Sequence, residues 1–214
     1  MDKELTVTDQ IMSLVAETLG VKNEPMTPRI AVPETSDQEA GSIVEGLNGR
    51  PPVVLVIGAG WPTKVLPEIS YRFVAEELSK VGPLIALSGN SDEKARAQRI
   101  VVGIKEALVL NRLDLPVVAG ILKRASVVVG GDTGIIHLAS LMGTRTVSFY
   151  GASLAARSGP VGDIHRHVQS NEPCSPCFKR KCPDIVCMDR MDPLEIGRVA
   201  KELARDAENT CISR

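Results

Sequence analysis

The 214-residue sequence predicts an α/β protein built on a doubly wound, mostly parallel, Rossmann-like sheet. Three observations carry this expectation. Short apolar runs such as Val53-Val54-Leu55-Val56-Ile57 are continuous rather than alternating, as strands covered on both faces require. Helical apolar spacing fills the intervals between those runs, so strand and helix alternate along the chain. Two runs end in glycine-bearing corners, Gly58-Ala59-Gly60 and Gly130-Gly131-Asp132-Thr133-Gly134, at the strand ends where such sheets hold their ligands.

The elements follow in order. Val7, Ile11, Leu14, Val15 and Thr18 fall on one face of an amphipathic helix, and Gly20 stands where a C-terminal glycine is expected. Val21 to Pro33 holds three prolines and no sustained period, so it reads as an extended connector. Ser36 and Glu39 have the spacing of a capping box for a short helix that ends near Gly49. After the strand at 53–57, Pro67 opens a helix with Ile69, Phe73, Leu78 and Val81 inward, closed by Gly82. Strands are expected over Leu84–Leu87, Ala107–Leu110, Ser126–Val129 and Thr146–Tyr150. The helices between them cover Asp92–Val102, Leu115–Lys123 and Thr133–Met142, with Gly143 as the last stop. Asp192, Pro193 and Glu195 supply a cap, an N1 proline and an N3 acid for a final helix.

Composition narrows the function. The 25 Lys and Arg balance 26 Asp and Glu, and no basic stripe interleaves with aromatics, which argues against a nucleic-acid partner. No apolar run approaches the roughly 20 residues that cross a bilayer, so no transmembrane segment is expected. The polar start MDKELTVTDQ is unlike a secretory signal, which places the chain in the cytoplasm.

The first corner, Gly58 to Lys64, is neither a dinucleotide fingerprint nor a P-loop. Thr63 stands where the third glycine of GxGxxG would be, and Pro62 removes an N–H donor. The second corner offers the free N–H groups of a helix start at Thr133, Gly134 and Ile135, a natural anion site. Asp132 has two readings there: a helix N-cap, or a carboxylate that braces the loop or holds a cation. Lys64 is either solvated surface or the cation of the site. His137 is either a packing histidine or a ligand-facing one.

Taken together, GAGWPTKVLPEISYRFVAEEL, LSGNSDEKARAQRI, VVVGGDTGIIHLASLMGTRTVSFYG, SGPVGDIHRHV and CSPCFKRKCP…CM resemble glycosyltransferase family 9, which contains the lipopolysaccharide heptosyltransferases. The resemblance covers about Val53 to Ala204 and implies the C-terminal half of a GT-B architecture. Residues 1–50 would then be an interdomain helix and connector. Residues 51–214 would be a nucleotide-sugar donor-binding domain with a Cys-rich loop and a C-terminal helix. The implied donor residues are Thr63, Lys64, Glu93, Asp132, Thr133, Gly134 and His137. Lys64 would neutralise charge on the leaving nucleotide, and Glu93 would accept ribose hydroxyls. For Glu93 the alternative is a first-turn acid facing the helix dipole. The family often has Asn and Pro where this chain has Gly131 and Ile135.

The resemblance also implies heptose transfer from ADP-heptose to a lipid A-core acceptor, with no cofactor required and a peripheral position at the inner membrane left open. The catalytic base would belong to an N-terminal half, supplied separately or lost. A non-catalytic nucleotide-binding regulator is the alternative, and the failed GxGxxG counts against an oxidoreductase. Cys174, Cys177, Cys182 and Cys187 could wrap a tetrahedral zinc, although ordinary reduced thiols are the favoured reading. Lys179, Arg180 and Lys181 would offset thiolate charge or meet a lipid phosphate.

Overall fold

The computed structural model describes residues 6–20, 22 and 30–212. Helix α1 (Val7–Leu19) ends at Gly20 in the left-handed conformation, as expected, and starts at a Thr6–Asp9 capping box. Ile11, Leu14, Val15 and Leu19 on it are exposed. Most of the connector expected over Val21–Pro33 lies outside the described residues. Helix α2 (Glu34–Glu45) begins after Pro33, so Ser36 and Glu39 are interior positions and form no capping box.

Six strands follow: β1 (Val53–Val56), β2 (Leu84–Ser88), β3 (Ala107–Asn111), β4 (Val127–Gly131), β5 (Thr146–Tyr150) and β6 (His165–Gln169). They form one sheet of order β3-β2-β1-β4-β5-β6, and every pair is parallel. The joining helices are α3 (Glu68–Leu78), α4 (Ser91–Val101), α5 (Leu115–Arg124), α6 (Gly134–Leu141) and the short α7 (Ala155–Ser158), followed after β6 by α8 (Val186–Asp189) and α9 (Pro193–Ile212). The α/β, doubly wound expectation is met.

Strand alternation builds a core on each face. Val53 and Leu55 point to the face covered by α3, α4 and α9, whereas Val54 and Val56 point to the face covered by α2, α5 and α6. Helix α2 packs against α5 on this face. Its Ala40 is fully buried where Gly120 of α5 carries no side chain, and Arg124 forks onto Asp37 at 2.7 and 2.9 Å. On the other face α9 seats Gly197 against Glu77 of α3, and Lys201 pairs with that carboxylate. Asp192 caps α9 through the Leu194 N–H at 2.9 Å, as its sequence position predicts.

Two expectations about packing change. Ile69 and Phe73 of α3 are exposed, and the buried positions are Ser70, Tyr71, Val74, Ala75 and Leu78. The helix is turned so that Tyr71 meets Phe149 edge-on in the core. Strand β6 was not expected at all, because HRHVQ is polar and only His165 and Val168 are buried in it. No helix among the described residues is long and apolar enough to cross a membrane.

Candidate functional site

Beyond β1 the chain returns to one flank of the sheet, and beyond β4 to the other, so a crevice opens between the carboxyl ends of these two neighbouring strands. After β1 the chain turns through a 3-10 segment, Pro62–Lys64. After β4 it passes Asp132 and enters α6, with Thr133 as N-cap residue. Gly130 and Gly131 are the last residues of β4 rather than a turn. A Cβ on Gly131 would overlap the Lys64 carbonyl oxygen, so glycine is what lets the two corners touch backbone to backbone.

That contact aligns an ion pair. Lys64 Nζ lies 2.7 Å from Asp132 Oδ2, with only 14% and 9% of the two side chains exposed. Ser158 Oγ lies 3.4 Å from the same oxygen, and His137 Nε2 stands 3.9 Å from Oδ1. Burial pushes the Asp132 carboxyl up. The neighbouring His137, Lys64 and Ser153 outweigh that and hold it well below the usual carboxylate range. Asp132 therefore remains ionised, and its side chain makes no capping hydrogen bond to α6, whose N-cap residue is Thr133. The buried Thr133 Oγ1 has no hydrogen-bond partner. Such a hydroxyl is costly unless something supplies the missing partner, so the corner is built to receive a polar ligand.

Next to this pair lies a cavity of about 590 Å³, with Gly58, Leu87, Asn90, Glu93, Arg112 and Thr133 among its lining residues. Its size suits one nucleotide. Asn90 caps α4 by accepting from the Glu93 N–H at 2.9 Å, and Glu93 Oε2 accepts from the Gly89 N–H at 2.7 Å. A Cβ on Gly58 would collide with the Glu93 carboxylate, so the first glycine of the corner makes room for this acid. The other carboxylate oxygen accepts no hydrogen bond among the described residues, which leaves it open to a hydroxyl donor.

The structure thus brings Lys64, Asp132, Thr133, Gly134 and His137 together, and sets Glu93 and Thr133 in the cavity wall. His137 is not a packing histidine, since 44% of its side chain is exposed on the Asp132 side. Thr63 behaves differently. Its hydroxyl is buried and donates to the Lys179 carbonyl at 2.8 Å, so it braces the corner instead of facing the cavity. Sequence reasoning did not single out Arg112, whose left-handed backbone (φ 53°) turns it into the cavity wall. It also missed Ser158, which reaches Asp132 from a four-residue helix.

The four clustered cysteines are free thiols. Burial and the three neighbouring thiols push the Cys187 thiol up, so it stays protonated. Among the described residues no group of three His, Cys, Asp or Glu side chains is arranged to hold a metal ion.

Known proteins with similar sequences or folds bear on this site. The model of "Glycosyltransferase family 9 (heptosyltransferase)" matches residues 2–185. Lipopolysaccharide heptosyltransferase 1 of Pseudomonas aeruginosa is 36% identical over 167 residues, covering 78% of this chain and 45% of that protein. The chain thus spans less than half the length of this curated relative. Among solved structures, a family 9 glycosyl transferase from Veillonella parvula superposes with a TM-score of 0.79 at 18% identity, over 95% of this chain and 61% of that one. The E. coli heptosyltransferase WaaC, solved with ADP, gives 0.69 at 20% identity, over 94% and 58%. At these identities the two structures establish the shared fold. With the family model matching most of its length, the chain belongs to glycosyltransferase family 9, the heptosyltransferase family.

Proposed function

We propose that this chain is the donor-binding half of a GT-B heptosyltransferase that moves heptose from ADP-heptose to the lipopolysaccharide inner core. The observation that supports this most is the nucleotide-sized cavity flanked by Glu93 and Thr133, which adjoins the Lys64–Asp132 pair at the reversal of strand order. The base and ribose occupy the cavity, and the free Glu93 oxygen accepts the ribose hydroxyls. The diphosphate lies against Thr133 and Gly134 at the start of α6, where N–H groups and the helix dipole favour an anion. Lys64 meets the charge that grows on the leaving nucleotide as the glycosidic bond breaks. Asp132, held ionised, is a poor proton acceptor at neutral pH, so its part is to orient Lys64 and His137. The base that deprotonates the acceptor comes from an N-terminal half that faces this one across the cleft. In this reading residues 1–50 lead from that half into the donor domain, and a lipid A-core acceptor places the assembled enzyme at the inner membrane surface.

Isothermal titration of the chain with ADP and with NAD tests the donor site. ADP is expected to bind at least tenfold more tightly, and Thr133→Val should weaken it severalfold by removing the buried hydroxyl. NAD binding equal to or tighter than ADP would overturn the proposal.

A further inference from the structure

The Cys-rich segment between β6 and α8 has little regular structure, yet it is pinned at several points to the carboxyl edge of the sheet. Ser175 Oγ donates to the Gly151 carbonyl at 2.7 Å and accepts from Gln169 Nε2 at 2.9 Å. The Phe178 N–H donates to the Ala152 carbonyl at 2.7 Å, and the Arg157 guanidinium stacks 5.3 Å from the Phe178 ring centre. The Lys179 carbonyl receives the buried Thr63 hydroxyl. These contacts hold Lys179-Arg180-Lys181 over the Trp61–Lys64 corner. Among the described residues, no carboxylate pairs with any of the three.

Arg180 has a specific seat. Its guanidinium lies 4.9 Å from the centre of the Trp61 ring, and Lys64 Nζ lies 4.2 Å from that same ring centre. The two cations therefore share one aromatic side chain, although like charges repel. Lys64 is already neutralised by Asp132. A diphosphate that arrives at the start of α6 thus meets an ion pair of zero net charge and needs positive charge from elsewhere. Arg180 stands beside this corner, and its planar fork suits two phosphate oxygens at once.

We propose that Arg180 is a donor-binding residue whose guanidinium contacts the terminal, sugar-side phosphate of the bound nucleoside diphosphate. The assignment rests on the donor site proposed above and extends it to a residue outside the two strand-end corners. It also gives the Cys-rich segment a role that needs no metal, namely to present Arg180 at a fixed height above Lys64.

Titration of the full chain with ADP and AMP, for wild type, Arg180→Gln and Arg180→Lys, tests the assignment. Only ADP carries the terminal phosphate. Arg180→Gln is expected to weaken ADP about tenfold and AMP less than twofold, and Arg180→Lys, which keeps the charge but loses the fork, to recover only part of the ADP affinity. The ratio of the two affinities is the readout, because a purely structural loss of the loop would weaken both nucleotides alike. Equal weakening, or ADP affinity unchanged in Arg180→Gln, would overturn the assignment while leaving the donor site standing. Wild-type chain that binds neither nucleotide would remove the donor site itself, and Arg180 with it.

Discussion

At the scale of single residues, Lys64 and Asp132, the pair proposed to meet the donor, also carry a share of the stability. A close ion pair that is largely buried is costly to break from one side, because the remaining charge stays out of water. Lys64→Met should therefore destabilise the fold by about 3 kcal/mol at neutral pH. The pH dependence has a definite sign. In the wild type the Asp132 carboxyl is held low, so its contribution is present above the ordinary carboxylate range and is lost only below it, as pH falls toward the lowered native value. Without Lys64, burial acts with less opposition, and protonation relieves the variant as pH falls. The gap between the two proteins should narrow on going from pH 7 to pH 4, as urea unfolding at both values would show; a gap that stays constant would mean that the pair contributes little. Both partners could be singled out in the sequence, but not what each does there. Asp132 has the type and position of an N-cap, and only the approach of the Lys64 corner, admitted by Gly131, draws its side chain away from α6.

At the scale of elements, the sequence showed most where a strand is buried on both faces. Val53–Val56 and Thr146–Tyr150 were recognisable because a short, β-branched and aromatic run bounded by turn residues suits a buried strand better than a helix. Strand β6 was not recognisable, because its inward side is built from polar contacts. His165 bridges Ser140 Oγ through Nε2 at 3.0 Å and Thr146 Oγ1 through Nδ1 at 2.9 Å, while His167 bridges Ser148 Oγ and the Pro160 carbonyl at 2.9 and 3.0 Å. The cavity wall was only partly legible for a related reason. Arg112 is placed by a backbone turn, and no local pattern signals a turn of that kind. Burial, followed by the nearby His167 and Arg166, pushes His165 down to about 4. An unfolded histidine titrates near 6.5, so the unfolded chain takes up the proton first as pH falls. Stability from this element is complete above about pH 6.5 and declines toward pH 4, by up to about 3 kcal/mol. Urea unfolding at about pH 7, 6 and 5 should reveal that slope, and His165→Gln should reduce it, with His167, also held low by burial, keeping the remainder. Asp37 and Glu68, held low by hydrogen bonds from Arg124 and Arg99, lose their contributions below the ordinary carboxylate values and so add little between pH 7 and pH 5.

At the scale of the whole molecule, the proposed function makes this chain one wall of a cleft. Sugar transfer needs a stabilised leaving group, a positioned acceptor and a base, and the last two account for many powers of ten in rate. The chain alone should therefore bind ADP-heptose but release ADP from it, with a lipid A-core acceptor present, only at background. Addition of an N-terminal half from a close relative should raise acceptor-dependent release well above that level. Robust turnover by the chain alone would show that a base lies among its own residues. The order of the strands has one more consequence, for how the molecule forms. Strands β1, β2 and β3 are neighbours in sequence and in space, and so are β4, β5 and β6, but the seam joins Val53 to Val127. Pairing between such distant segments carries the larger loop-closure cost and comes late on the folding path. Lys64 stands on one side of that seam and Asp132 on the other, and Thr133 closes a cavity walled mostly by the β1–β3 half, so the proposed donor pocket is incomplete until the two halves meet. It is completed by the closing of the seam, and nucleotide binding marks the arrival of the finished domain.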